Sequence, residues 1–207
     1  GDVMGFLGPN GAGKTTSMRV ITGYLNSDHG SIKINNRDIN VDPIYTKSTI
    51  GYLPEGVPLY LDFSPNLYLD YVCQVRDIKN SKNAIKKVIS DLQLEDVKDV
   101  PIETLSKGFK RRVGIAQALI HNPKLLILDE PTDGLDPLQK FEVRKLIKKL
   151  SKTKAIIIST HILDEVPEVC NKCLIINNGQ KIFEGTPNQL KKKIGKTLDE
   201  KFRKLVS

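Results

Sequence analysis

Two short stretches of this chain combine residue types and spacing suited to phosphate chemistry. The first is Gly8-Pro9-Asn10-Gly11-Ala12-Gly13-Lys14-Thr15-Thr16, which fits the pattern G-x-x-x-x-G-K-[ST]. Its glycines let the backbone curl so that successive N–H groups point inward at phosphate oxygens. The helix expected to follow aims its positive end at the same place. Lys14 is placed to reach the β- and γ-phosphates, the Thr15 hydroxyl to ligate Mg²⁺, and Thr16 to touch the α-phosphate. The second stretch is Leu125-Leu126-Ile127-Leu128-Asp129-Glu130. Four apolar residues read as a buried strand that delivers two carboxylates at its C-terminal end, where ligands bind in open α/β sheets. Asp129 suits a hard cation held through water, and Glu130 is the natural general base for an attacking water. Together the two stretches point to Mg²⁺-dependent hydrolysis of a nucleoside triphosphate.

The surrounding pattern must hold these groups on rigid elements. Val3 to Leu7 reads as a short buried strand ending at Gly8, and a helix should run from Gly13 to Gly23. Ser31 to Ile34 and Ile50 to Leu53 read as strands, with Asn35-Asn36 turning the chain. Between Pro65 and His121 apolar residues recur at helical spacing (Leu67, Tyr71, Val75; then Ile85, Val88, Ile89, Leu92), with a further helix from Ser106 to His121. This stretch reads as a helical insertion. After Pro123 strand and helix alternate: Leu125–Leu128, a helix over Leu138–Leu150, Ala155–Ile158, and a helix over Leu163–Val169. Then come a hairpin around Asn178-Gly179 and a helix opening at Thr186-Pro187-Asn188-Gln189. The tail from Thr197 suggests one more helix. Near-continuous apolar strands alternating with helices predict a mainly parallel α/β sheet.

The bulk properties narrow the class. Of 207 residues, 39% are hydrophobic and 27% charged, ordinary for a soluble domain that buries its own core. No apolar run approaches the ~20 residues of a spanning helix. Cys170 and Cys173 form a C-x-x-C pair, but four metal ligands are lacking. They read as residues flanking a helix-to-strand junction in a reducing compartment. The net charge of +8 is spread along the chain, densest at Lys107–Arg112 and Lys191–Lys193, and reads first as solvated helix faces and second as attraction to an anionic membrane surface. His29 and His121 read as structural, His121 at a helix end where an imidazole suits the dipole.

Further motifs make the chain resemble the ATP-binding-cassette ATPases over nearly its whole length. Leu105-Ser106-Lys107-Gly108-Phe109 stands where that family carries its signature, usually Leu-Ser-Gly-Gly-Gln. Asp129 to Pro137 resembles the second carboxylate motif running into the D-loop, Ser159-Thr160-His161 the switch histidine, and Gly51-Tyr52-Leu53-Pro54-Glu55 the Q-loop. The resemblance implies a P-loop NTPase fold with a RecA-like, mainly parallel sheet and flanking helices plus an inserted α-helical subdomain. Residues 1–55 and 122–207 would form the nucleotide-binding lobe and 56–121 the helical subdomain, with N-terminal strands expected upstream of Gly1. It implies that two copies sandwich two ATP molecules, each between one copy's P-loop and the other's Ser106 and Gly108. Those two residues open a helix whose N–H groups can meet a γ-phosphate. It further implies that His161 contacts the γ-phosphate, that Glu55 helps hold Mg²⁺, and that Asp136 carries communication between sites. The expected partners are a transmembrane permease subunit and a second ATPase copy, on the cytoplasmic face of the cell membrane.

Three departures from the family pattern stand out. Glu55 replaces glutamine and cannot donate as an amide does. Lys107 and Phe109 replace glycine and glutamine, while Ser106 and Gly108 are kept. The adenine-stacking segment lies upstream of the P-loop strand and has no counterpart here. Two other readings compete with an energising transporter subunit. An ATPase acting on DNA or ribosomes is disfavoured because only 91 positions separate Lys14 from Leu105, with no sustained heptads. A regulator without hydrolysis is disfavoured by Glu130.

Overall fold

The structure is a computed structural model that describes residues 1–194. The predicted tail helix from Thr197 lies outside the described residues. Strand β1 (Val3–Leu7) leads through the glycine loop into helix α1 (Lys14–Ile21). A two-stranded hairpin follows, β2 (Lys33–Ile34) and β3 (Arg37–Asp38), turned by Asn35 and Asn36 with φ of 50° and 64°. That pair of left-handed residues matches the twist of a tight hairpin. The predicted Ser31–Ile34 strand is thus shorter, and its partner had too few residues to signal itself. Helix α2 (Pro43–Thr49), which sequence periodicity did not reveal, is opened by the Asp42 carboxylate accepting from the Tyr45 N–H and by Pro43 at its first position. Strand β4 (Ile50–Leu53) comes next.

The expected helical stretch holds α3 (Pro65–Val75), α4 (Ser81–Asp91) and α5 (Lys107–Leu119), with short 3-10 turns at Glu95–Val97 and Ile102–Thr104. Ser64 and Ser106 cap α3 and α5 by accepting from the N–H three residues on. Then follow β5 (Leu125–Asp129), α6 (Pro137–Ser151), β6 (Ala155–Thr160), α7 (Val166–Val169), β7 (Lys172–Asn177), β8 (Gln180–Gly185) and α8 (Pro187–Ile194). The expected helix over Leu163–Val169 is in fact a 3-10 turn, Leu163–Glu165, leading into one turn of α7.

Six strands form one sheet in the order β4-β5-β6-β1-β7-β8, parallel except for the β7–β8 hairpin. Its two faces bury different sets of side chains. Along β5, Leu126 and Leu128 join the large core with α5 and α6, whereas Ile127 joins Met18, Ile34, Ile39 and Ile50 on the other face. Truncating a fully buried leucine such as Leu128 would cost roughly 2–5 kcal/mol. Register places function at one edge: Leu7 pairs with Thr160 and Asp129 with Ser159. The residues that follow these pairs (Gly8, Glu130, His161) therefore leave the sheet side by side. Among the described residues no helix is long and apolar enough to cross a membrane.

Candidate functional site

At that edge, the loop Gly8–Gly13 wraps tightly before α1. Gly13 takes φ of 100°, a conformation only glycine adopts readily, and this brings α1's first N–H groups round to face the loop. Gly8 lies so close to the carbonyl of Ile176 that an added Cβ would sit 2.6 Å from it. The loop is held by Ala12 N–H donating to the Pro9 carbonyl at 3.1 Å. Lys14 is only 7% exposed, and its ammonium donates to the carbonyls of Gly8 at 2.9 Å and Pro9 at 3.3 Å.

Asp129 and Glu130 are adjacent yet point differently, and the backbone shows why. Glu130 has φ of 47°, a left-handed conformation that costs a residue with a side chain about 1–3 kcal/mol. Three contacts hold it there. Its N–H donates to the carbonyl and to Oγ of Ser159, each at 3.1 Å, and its carbonyl accepts from Arg111 Nη2 at 3.0 Å. The Ser159 hydroxyl donates a short hydrogen bond to Asp129 Oδ1. Glu130 Oε1 then faces His161 Nδ1 at 3.0 Å and Lys14 Nζ at 3.6 Å. Asp129 Oδ2 and Glu130 Oε2 are buried, with no hydrogen-bond partner among the described residues. Each such acceptor is costly unless an electropositive group meets it.

These groups open onto one cavity of about 490 Å³. Asn10, Gly11, Gly13, Lys14, Thr15 and Thr16 line one wall; Glu55, Glu130, Asp133 and His161 line the other. Gly8, Pro9 and Ala12 stand behind, shaping the loop, and Asp129 lies beneath, fully buried. Ser106, Gly108 and Asp136 are not part of this cavity. Ser106 and Gly108 line a separate hollow with Gln139 and Val143. Asp136 caps α6 by accepting from the Gln139 N–H at 2.9 Å.

Several contributors escaped sequence reasoning. Arg111 belongs to the Lys107–Arg112 run read as a solvated face, yet it is 5% exposed. Its guanidinium reaches the carbonyls of Glu55 at 3.0 Å and of Glu130 at 3.0 Å, joining the two carboxylate-bearing segments to α5. Burial lowers its pKa, and the carboxylates of Asp133, Glu55, Asp129 and Glu130 oppose that. Its position three residues after Gly108 and four before Ile115, on the buried stripe of α5, was the available signal. Asp133 was also overlooked, being one residue of a turn. The Tyr52 phenol, half-buried and close to Asp129, is pushed up to about 12 by burial first and then by that carboxylate. His121 departs from the dipole reading: its Nε2 meets the Ile50 carbonyl at 2.9 Å, and its pKa falls to about 4, through burial first and then the nearby Arg76 guanidinium. It is therefore a neutral, packed imidazole. Cys170 and Cys173 flank the α7–β7 junction as free, buried thiols, which burial raises to about 12 and about 11.

Comparison with known proteins gives the family. The ABC transporter family profile matches residues 1–133. The chain is 34% identical over 196 residues to the lipopolysaccharide export system ATP-binding protein LptB of Escherichia coli K12, covering 92% of this chain and 81% of that protein. It is 38% identical over 185 residues to the uncharacterized ABC transporter ATP-binding protein YhcH of Bacillus subtilis, covering 88% of this chain and 60% of that one. An ATP-binding subunit of an ABC transporter superposes with a TM-score of 0.85 at 28% identity, over 99% of this chain and 88% of that chain. CbiO1 of Clostridium perfringens, part of the CbiONQ transporter complex, gives 0.82 at 31% identity, over 91% and 78%. The chain belongs to the ABC transporter family, as an ATP-binding ATPase that energises transport through separate membrane components.

Proposed function

We propose that hydrolysis is carried by Glu130 as general base, with His161 and Lys14 in contact with its carboxylate and the γ-phosphate. The observation that carries this reading is the single oxygen, Glu130 Oε1, met by His161 Nδ1 at 3.0 Å and Lys14 Nζ at 3.6 Å. The backbone of Gly8–Thr16 binds the phosphates, Lys14 neutralises the β- and γ-phosphates, and Thr16 touches the α-phosphate. Glu130 orients the attacking water and takes its proton. The orphaned oxygens Asp129 Oδ2 and Glu130 Oε2 fit a hard cation beside them, and Thr15, Asp129 and Glu55 would hold Mg²⁺. Among the described residues no three His, Cys, Asp or Glu gather as a metal cluster. Bound beside these oxygens, the ion would withdraw charge from the β- and γ-phosphates.

We further infer that the site is completed by a second copy, whose Ser106 and Gly108 close over the γ-phosphate while Asp136 lies between the sites. What supports this is their placement outside the cavity of their own chain: Ser106 is exposed at the opening of α5, and Gly108, two residues on, is buried against Gln139. Among the described residues, 1–55 and 122–194 form the nucleotide-binding lobe in this reading, and 56–121 the helical subdomain. The transmembrane partner docks on a groove of about 630 Å³ lined by Arg19, Tyr24, Lys47, Tyr52, Pro54 and Arg76, next to Glu55. Tyr24, 76% exposed, offers apolar area there, and Tyr60, 51% exposed, adds it outside the groove's lining, whereas Val57, Leu59 and Phe63, partly buried, pack against the core. The Pro54–Phe63 stretch thus serves both surface and packing.

The test is light scattering of the Glu130→Gln protein. Mg-ATP should double its mass, and Ser106→Arg in the same background should keep it monomeric. A protein that binds ATP at saturation yet stays monomeric contradicts the shared site.

A further inference from the structure

Glu165 is a buried carboxylate, 7% exposed, that the hydrolysis described above does not use. It ends the 3-10 turn Leu163–Glu165, four residues after His161. Its Oε2 accepts from Thr132 Oγ1 at 2.6 Å, across 33 residues of sequence and fully inside the protein. Thr132 is itself 2% exposed and stands two residues after Glu130. The other oxygen, Oε1, has no hydrogen bond but faces Lys140 Nζ at 3.8 Å. Lys140 lies in the first turn of α6, where its N–H donates to the Asp136 carbonyl at 2.9 Å. One side chain thus ties together the turn bearing Glu130, the turn bearing His161 and the helix opened by Asp136.

A buried carboxylate is retained only where its partners offset desolvation. A hydroxyl donating to an ionised acceptor makes a short, directional bond, about twice as strong as a neutral one. Such a bond fixes the relative position of the two turns, while a lysine at 3.8 Å contributes attraction with little direction. We propose that Glu165, through its hydrogen bond with Thr132, is a positioning residue that sets the Glu130–His161 contact for hydrolysis. The inference rests on Glu130 being the base, and it assigns no contact of Glu165 or Thr132 with the nucleotide.

The test uses the full chain and compares steady-state ATP hydrolysis of Thr132→Val, which puts a methyl in place of the hydroxyl at nearly constant volume, with Thr132→Ser, which keeps the hydroxyl. Thr132→Val should lower kcat about tenfold with KM for ATP unchanged, as expected for a base displaced without loss of binding. Thr132→Ser should recover most of the loss. In a Glu130→Gln background, Thr132→Val should cause no further loss, because its effect passes through Glu130. Glu165→Gln, which keeps an acceptor oxygen, should lower kcat less than Thr132→Val does. Wild-type turnover in Thr132→Val, a loss that persists in the Glu130→Gln background, or a rise in KM at unchanged kcat would each overturn the proposal. A Glu130→Gln protein with wild-type turnover would instead remove the reading on which it rests.

Discussion

His161 Nδ1 lies 3.0 Å from Glu130 Oε1, and Lys14 Nζ approaches that same oxygen at 3.6 Å. The carboxylate is thereby tied to the phosphate loop on one side and to the end of β6 on the other, in a site where it is 6% exposed. Its second oxygen has no hydrogen-bond partner among the described residues. This is the arrangement of a group kept in place by two neighbours and left with lone pairs for a third.

Lys14 is the first place to perturb it. Lys14→Ala removes the ammonium that the Gly8 and Pro9 carbonyls hold over the loop. Losing one charged partner of a desolvated contact costs about 3 kcal/mol, or roughly 100-fold in affinity. Titration with a fluorescent ATP analogue should show that weakening; unchanged affinity would mean that the ammonium does not touch the phosphates.

Glu55 tests the metal assignment. It is exposed, yet it lines the cavity shared with Lys14 and Glu130, and its carbonyl is held by Arg111 at 3.0 Å. Glu55→Ala should raise the Mg²⁺ concentration needed for half-maximal turnover about tenfold. Glu55→Gln keeps a ligand oxygen and should shift it less. Superimposable Mg²⁺ titrations for Glu55→Ala and the unmodified protein would take Glu55 out of the metal shell.

His121 predicts a dependence of stability on pH. Its folded pKa near 4 is below the ordinary value of 6.5, because burial and then Arg76 disfavour the imidazolium. Between these values the unfolded chain binds the proton and the folded chain does not, so stability rises with pH across that window and levels off above it. The full effect is about 3 kcal/mol. Denaturant midpoints at pH 5 and pH 8 should therefore differ more for the unmodified protein than for His121→Gln; equal differences would contradict the assignment.

How far the sequence carried depended on whether a signal was local. The loop before Lys14, the strand before Asp129 and the hairpin at Asn178-Gly179 each declare themselves within a few residues, and the structure places them so. Their assembly at one sheet edge was legible too, because parallel strands with helical crossovers gather their C-terminal ends. What was hidden depended on distance. Arg111 meets Glu130 across 19 residues and Thr132 meets Glu165 across 33; helical spacing puts Arg111 on the buried stripe of α5 but does not say what it meets there. The α2 helix was missed for another reason: seven residues are too few to show a period. His121 was misjudged because a helix end seen in sequence gives no indication of the β4 carbonyl that covers it.

The most direct test of the whole is the Glu130→Gln protein, with Mg-ATP affinity and hydrolysis measured on one sample. Removing the base while keeping the shape should leave affinity unchanged and lower turnover by about 100-fold or more. Turnover equal to that of the unmodified protein, at equal affinity, would contradict the account.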